Sequence, residues 1–147
     1  MNNTNEMIVE FSSNAQNEGF ARMVVAAFIA GTNPTLEEVS DVKTAVSEAV
    51  TNSIIHGYEN SDGKIKIKAR VKGRKVYIEI IDDGRGIEDV KKAMEPMYTT
   101  RPDEDRSGMG FSFMEAFMDK LEVESKIGVG TTVKMWKEIG AIGRQFE

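Results

Sequence analysis

The sequence predicts an α+β fold, a two-layer sandwich with helices on one face of a mixed, mostly antiparallel sheet. Two segments of helical apolar period come first. From Lys64 onward the period changes to two, and the strands that follow are separated by short turns. The 147 residues, 40% hydrophobic and 29% charged, suit one domain spanning 1–147, and no Pro/Gly/Ser-rich linker divides them.

Each element follows in order. "MIVEF" (Met7–Phe11) alternates and is β-branched, which predicts a strand. Ser12 or Ser13 is expected to cap the next helix. Its apolar positions are Phe20, Met23, Val24, Ala27 and Phe28, and Gly31 is expected to end it. A second, longer helix starts at Thr35, whose spacing to Glu38 makes a capping box. Leu36, Val39, Val42, Ala45/Val46, Ala49/Val50 and Ser53 form its buried stripe, with Gly57 as the residue after its end. "KIKIKARV" and "KVYIEIID" alternate around "KGR" and predict a hairpin with one wet face. "IEDVKKAME" is a short helix stopped by Pro96. The polar stretch Pro96–Gly110 is long for a connection inside a domain, and such loops commonly serve as lids. "FSFMEAFMDK" is helical, "LEVESK" a strand, "GVGT" a turn and "TVKMWKEI" a last strand.

Composition narrows the function. A formal charge of −5 argues against direct nucleic-acid binding, which needs a basic footprint. The chain has no cysteine, so disulfides and thiolate metal sites are excluded. The longest apolar run, Met23–Ala30, is too short for a bilayer, and "MNNTNEM" lacks the features of a signal peptide. A cytoplasmic protein without membrane contact is expected.

Three stretches could carry chemistry. In "SEAVTNSIIHGY", Glu48, Asn52 and His56 recur every four residues on one helical stripe beside the apolar one. Taken alone they read as solvated surface, and His56 as a helix-end residue near the last carbonyls. "DDGRGI" directly follows a strand. Gly84 and Gly86 there strip the backbone of side chains, so a flat ligand could approach Asp82, although "DG" is also a common turn. "SGMGF" opens a helix, whose N–H groups and dipole form a ready anion site if Ser107 is not simply its cap. No GxxxxGK[ST] or strand-borne GxGxxG occurs.

With "EAVTNSIIHG", "DDGRGI", "MYTTRPDEDRS", "GMGF" and "GVGTTV" in this order, the chain resembles the GHKL superfamily of Bergerat-fold ATPases, which includes gyrase-type ATPases and histidine kinases. The resemblance covers essentially the whole chain. Within the superfamily the chain is most similar to the small serine-kinase anti-sigma factors. That resemblance implies a homodimer that holds an RNA polymerase sigma factor, of the sporulation type, inactive. It also implies phosphorylation of a serine on an anti-anti-sigma protein with MgATP, leaving ADP.

The resemblance also implies roles for individual residues. Asp82 would accept a hydrogen bond from the adenine amino group, Gly84 and Gly86 would admit the base, and Thr131 or Thr132 would support it. Asn52 would hold Mg²⁺, and Glu48 would be the base for the serine hydroxyl. Gly108, Met109 and Gly110 would offer backbone donors to phosphate, with Thr99, Arg106 and Ser107 as further nucleotide contacts. On the first helix Glu18 and Arg22, four apart, read by themselves as a solvated ion pair. The resemblance makes them partner contacts. The alternatives are a stress-pathway anti-sigma kinase and a nucleotide-gated binding module without phosphotransfer.

Overall fold

In a computed structural model the structure describes residues 4–95 and 110–140. The chain runs β1 (Thr4–Ser12), α1 (Asn17–Ile29), a 3-10 turn (Ala30–Thr32), α2 (Leu36–Asn52), a π turn (Ser53–Gly57), β2 (Lys64–Lys72) and β3 (Lys75–Asp82). After these come α3 (Val90–Ala93), α4 (Gly110–Phe117), β4 (Lys120–Lys126) and β5 (Gly130–Glu138). The five strands form one sheet in the order β1-β2-β3-β5-β4, and each of these pairs is antiparallel.

The alternation read from the sequence builds the two layers. Ile65, Ile67, Ala69 and Val71 of β2 and Val76, Ile78 and Ile80 of β3 turn inward onto Val42, Ala45, Val46, Ala49 and Val50 of α2. The other face of the sheet is wet. There Arg70, Tyr77, Trp136 and Lys120 form a row across four strands. The Arg70 guanidinium lies 5.5 Å from the Tyr77 ring centre, the two rings are 4.9 Å apart, and Lys120 Nζ is 4.9 Å from Trp136.

The capping box at Thr35 forms: its Oγ1 accepts from Glu38 N–H and its N–H donates to Glu38 Oε1. The same carboxylate also accepts from Gly140 N–H at 2.7 Å, which ties the end of β5 to the start of α2. Burial alone would raise the Glu38 pKa, but the donors from Thr35 and Gly140 hold it below the ordinary value. A lowered folded-state pKa contributes stability above the unfolded pKa, which is lost as pH falls through the folded one. Glu38→Gln is therefore expected to cost about 1 kcal/mol near neutral pH. The difference from wild type should close in acid, as thermal melts across pH will show.

Four local expectations are corrected. α1 buries Ala21, Val25 and Ile29, whereas Phe20 and Met23 are 50% and 62% exposed and Ala27 is exposed too. "FARMVVAAFI" is apolar around most of its circumference, so its period cannot set which side faces α2. The serines do not cap α1, which starts after Gln16 without a side-chain cap; Ser13 instead donates its hydroxyl to Ser61 O and its N–H to Gly63 O. α1 itself ends at Ile29, and Gly31 lies within the 3-10 turn that follows, after which Asn33 takes the left-handed conformation (φ 57°). On α2 the buried stripe begins later than expected, since Leu36 is 90% exposed.

Candidate functional site

α2 stays α-helical through Asn52 and then opens into the π turn, where Tyr58 N–H reaches back to Ser53 O at 2.9 Å. This loosened end brings Ser53, His56 and Gly57 to the end of β3. Gly57 serves there not as a helix cap but at a close approach: a Cβ on it would stand 3.1 Å from the Asp82 carboxylate, which would have to shift slightly. The positive φ expected just after a helix end falls instead on Glu59 and Asn60.

The turn after β3 is held by the protein's own backbone. A Cβ on Gly84 would lie 2.3 Å from Gly57 O, and one on Gly86 (φ +79°) would lie 2.2 Å from Lys126 O. Glycine is thus required at both positions by chain packing, whatever approaches from the other side. Arg85 fastens the junction: its N–H donates to Gly57 O, its carbonyl accepts from Gly128 N–H, and its Nε donates to His56 O.

Asp82 is 5% exposed at the floor of this junction. Its Oδ2 accepts from Ser53 Oγ at 2.7 Å, its Oδ1 from Gly84 N–H at 2.9 Å, and the Thr131 N–H adds a third bond. Burial raises its pKa, against those three donors. Tyr58 closes the back of the turn by donating its hydroxyl to Lys64 O while accepting from Asp83 N–H.

A cavity of about 570 Å³ opens above Asp82, and Asn52, Ser53, His56, Gly86, Gly110 and Thr131 are among the residues that line it. Its size lies within the range of about 300–1,000 Å³ usual for small-molecule sites. Asn52 and Asp82, predicted from separate motifs, face this one space. A Cβ on Gly110 would stand 3.1 Å from Asn52 Nδ2, 3.3 Å from Asn52 Oδ1 and 3.4 Å from Glu48 Oε2. The first residue of α4 therefore rests on the Asn52 and Glu48 side chains, and its positive dipole end stands beside the cavity. Thr131 lies opposite Asp82 in the β3–β5 ladder and faces the cavity, whereas Thr132 opposes Ile81 on the outer face.

Thr99, Arg106, Ser107, Gly108 and Met109 lie outside the described residues. Glu18 and Arg22 are away from the cavity, and they are more than a solvated pair. Arg22 Nε is 2.9 Å from Glu18 Oε1 without the alignment of a hydrogen bond, and the same oxygen accepts from Ser47 Oγ on α2. The partner-contact candidates thus connect to the residue preceding Glu48.

Sequence reasoning missed Ser53 and Ser125 as site residues. Spacing places Ser53 in the buried stripe of α2, where its hydroxyl donates to Asp82. Ser125 occupies the position that "LEVESK" alternation assigns to an inward apolar side chain, where its hydroxyl bonds Ile87 N–H and Thr131. A polar residue on an otherwise apolar face was the available signal in both cases.

No group of three or more His, Cys, Asp or Glu that could hold a metal occurs among the described residues, and no helix there is long and apolar enough to cross a membrane. A magnesium ion commonly takes only one or two protein oxygens and completes its shell from phosphates and water. The single Asn52 carboxamide at the wall of the cavity fits that habit.

Known proteins resemble this chain in sequence and in fold. Residues 11–137 match the family model described as the histidine kinase-like ATPase domain. An anti-sigma F factor of Thermoanaerobacter sp. (strain X514) is 61% identical over 141 residues, covering 96% of this chain and 99% of that protein. One of Clostridium botulinum (strain Eklund 17B / Type B) is 61% identical over 139 residues, covering 94% and 97%. Among solved structures, the RsbU and RsbW domains of a Mycobacterium tuberculosis protein superpose with a TM-score of 0.66 at 20% identity, over 92% of this chain and 32% of that one. The catalytic domain of the histidine kinase ThkA gives 0.56 at 19% identity, over 90% and 97%. At such identities these two structures speak for the fold.

Proposed function

Because the chain belongs to the histidine kinase-like ATPase domain family and groups with the anti-sigma F factors, we propose that it holds an RNA polymerase sigma factor of the sporulation type inactive and uses MgATP to phosphorylate a serine on that factor's antagonist. The observation that carries the catalytic half is convergence. Asp82, Asn52 and the α4 N-terminus surround one cavity, and Glu48 meets Asn52 at Gly110.

Each residue then has a physical task. Asp82, with three donors already fixed on it, keeps acceptor capacity for the amino group of a base lying on the Gly86 turn. Asn52 offers a neutral oxygen to the magnesium ion, which when bound neutralises phosphate charge. The α4 N-terminus adds backbone donors near the phosphates. Glu48 takes the proton of the incoming serine hydroxyl. It need not be strongly basic, because phosphoryl transfer has a loose transition state and proton transfer can lag behind P–O cleavage.

The sigma factor and the antagonist would meet the exposed side of α1 around Arg22 and compete there, and the protein would act as a homodimer. The deciding experiment incubates the purified protein with γ-labelled ATP and a candidate antagonist. Label is expected on one antagonist serine, and sigma factor should co-purify only with protein not saturated by unphosphorylated antagonist. Nucleotide binding without any transfer to the antagonist would overturn the kinase proposal and leave a nucleotide-gated module.

A further inference from the structure

At the base end of the cavity, Ser125 Oγ has three polar neighbours. Ile87 N–H donates to it at 2.7 Å, Thr131 Oγ1 lies 2.7 Å away, and Gly130 O lies 3.1 Å away. A serine hydroxyl carries one proton and two lone pairs. Only one assignment makes all three contacts hydrogen bonds: Oγ accepts from Ile87 N–H and from the Thr131 hydroxyl, and gives its own proton to the Gly130 carbonyl. In the reverse assignment, with Ser125 donating to Thr131, the contact with the Gly130 carbonyl is no longer a hydrogen bond.

In the paired assignment the Thr131 proton is committed away from the cavity, and only lone pairs remain to meet a ligand. Thr131 stands across the ladder from Asp82, so the wall presents two adjacent acceptors and no side-chain donor between them. An exocyclic amino group carries two N–H donors and satisfies both. A ring carbonyl in the same place would meet two acceptors with no proton to share.

We infer that Ser125 is a positioning residue for base specificity, fixing Thr131 as an acceptor so that the site takes an amino-purine triphosphate in preference to an oxo-purine one. This inference rests on the nucleotide site proposed above and adds to it the origin of discrimination. Ser125 acts through Thr131 and does not itself line the cavity.

The test compares the dissociation constants of ATP and inosine triphosphate, which has a carbonyl where ATP has the amino group, by displacement of a fluorescent nucleotide. Wild type should prefer ATP. In Ser125→Ala the Thr131 hydroxyl is free to turn its proton to the cavity and donate to the carbonyl. The preference should then shrink by about tenfold, the value of one net hydrogen bond. Ser125→Thr restores the hydroxyl and should restore the preference. A purely structural Ser125 would weaken both nucleotides alike, and an unchanged ratio in Ser125→Ala overturns the inference alone. If that variant binds neither nucleotide, Thr131→Val decides, because it keeps the side-chain shape and removes the acceptor: a wild-type ratio there also overturns the inference. Wild-type protein that binds neither nucleotide overturns the nucleotide site itself, and the inference with it.

Discussion

Glu48→Gln should bind ATP with nearly wild-type affinity and phosphorylate the antagonist about 10²–10⁴ times more slowly, the usual contribution of a positioned acid or base. The change is isosteric, so the fit of this side chain beside Gly110 and the packing of α2 on α4 persist. What disappears is the acceptor for the serine proton. Glu48 is not among the residues lining the cavity but stands one helical turn before Asn52, at the start of α4. That is a place for a group that meets an incoming hydroxyl rather than the nucleotide. Single-turnover transfer and nucleotide titration on the same preparation separate the two effects. Transfer at the wild-type rate would remove Glu48 from the role of base.

Asp82→Asn acts on the other end of the site. It should weaken nucleotide binding by about 10–100-fold, as expected on losing a hydrogen bond to a charged acceptor. The amide keeps one oxygen and introduces two donors where Ser53, Gly84 and Thr131 already donate, so the buried cluster must also rearrange. The pH dependence has a definite sign. Burial raises the Asp82 pKa above that of an ordinary aspartate, so the ionised acceptor is lost earlier as pH falls. Nucleotide affinity should therefore decline on acidification at a higher pH than an ordinary carboxylate would give, and in Asp82→Asn that decline should be absent. Unchanged affinity in the variant, read by fluorescent-nucleotide titration, would place the base elsewhere.

Much of this molecule was legible in one dimension because it depends on local periodicity. The inward rows of β2 and β3, the capping box at Thr35 and the hairpin around Gly73 follow from spacing alone, since side-chain direction in a strand or a first helical turn is set by neighbouring residues. Asn52 and Asp82, singled out from separate motifs, line one cavity. The facing side of α1 was not legible, because a helix apolar all round carries no phase, and it took the packing of Ala21, Val25 and Ile29 against α2 to set it. Nor could spacing show that Gly84 and Gly86 are forced by the backbones of Gly57 and Lys126, or that Ser53 and Ser125 hold the cavity wall. Except for the near pair Ser125 and Thr131, those contacts join residues tens of positions apart, and their identity depends on which strands pair and where a helix loosens into a π turn. The sequence by itself determined the layers and the inward rows of the strands; tertiary structure decided which backbone atoms touch and which hydroxyls meet, because both are properties of neighbours that only folding supplies.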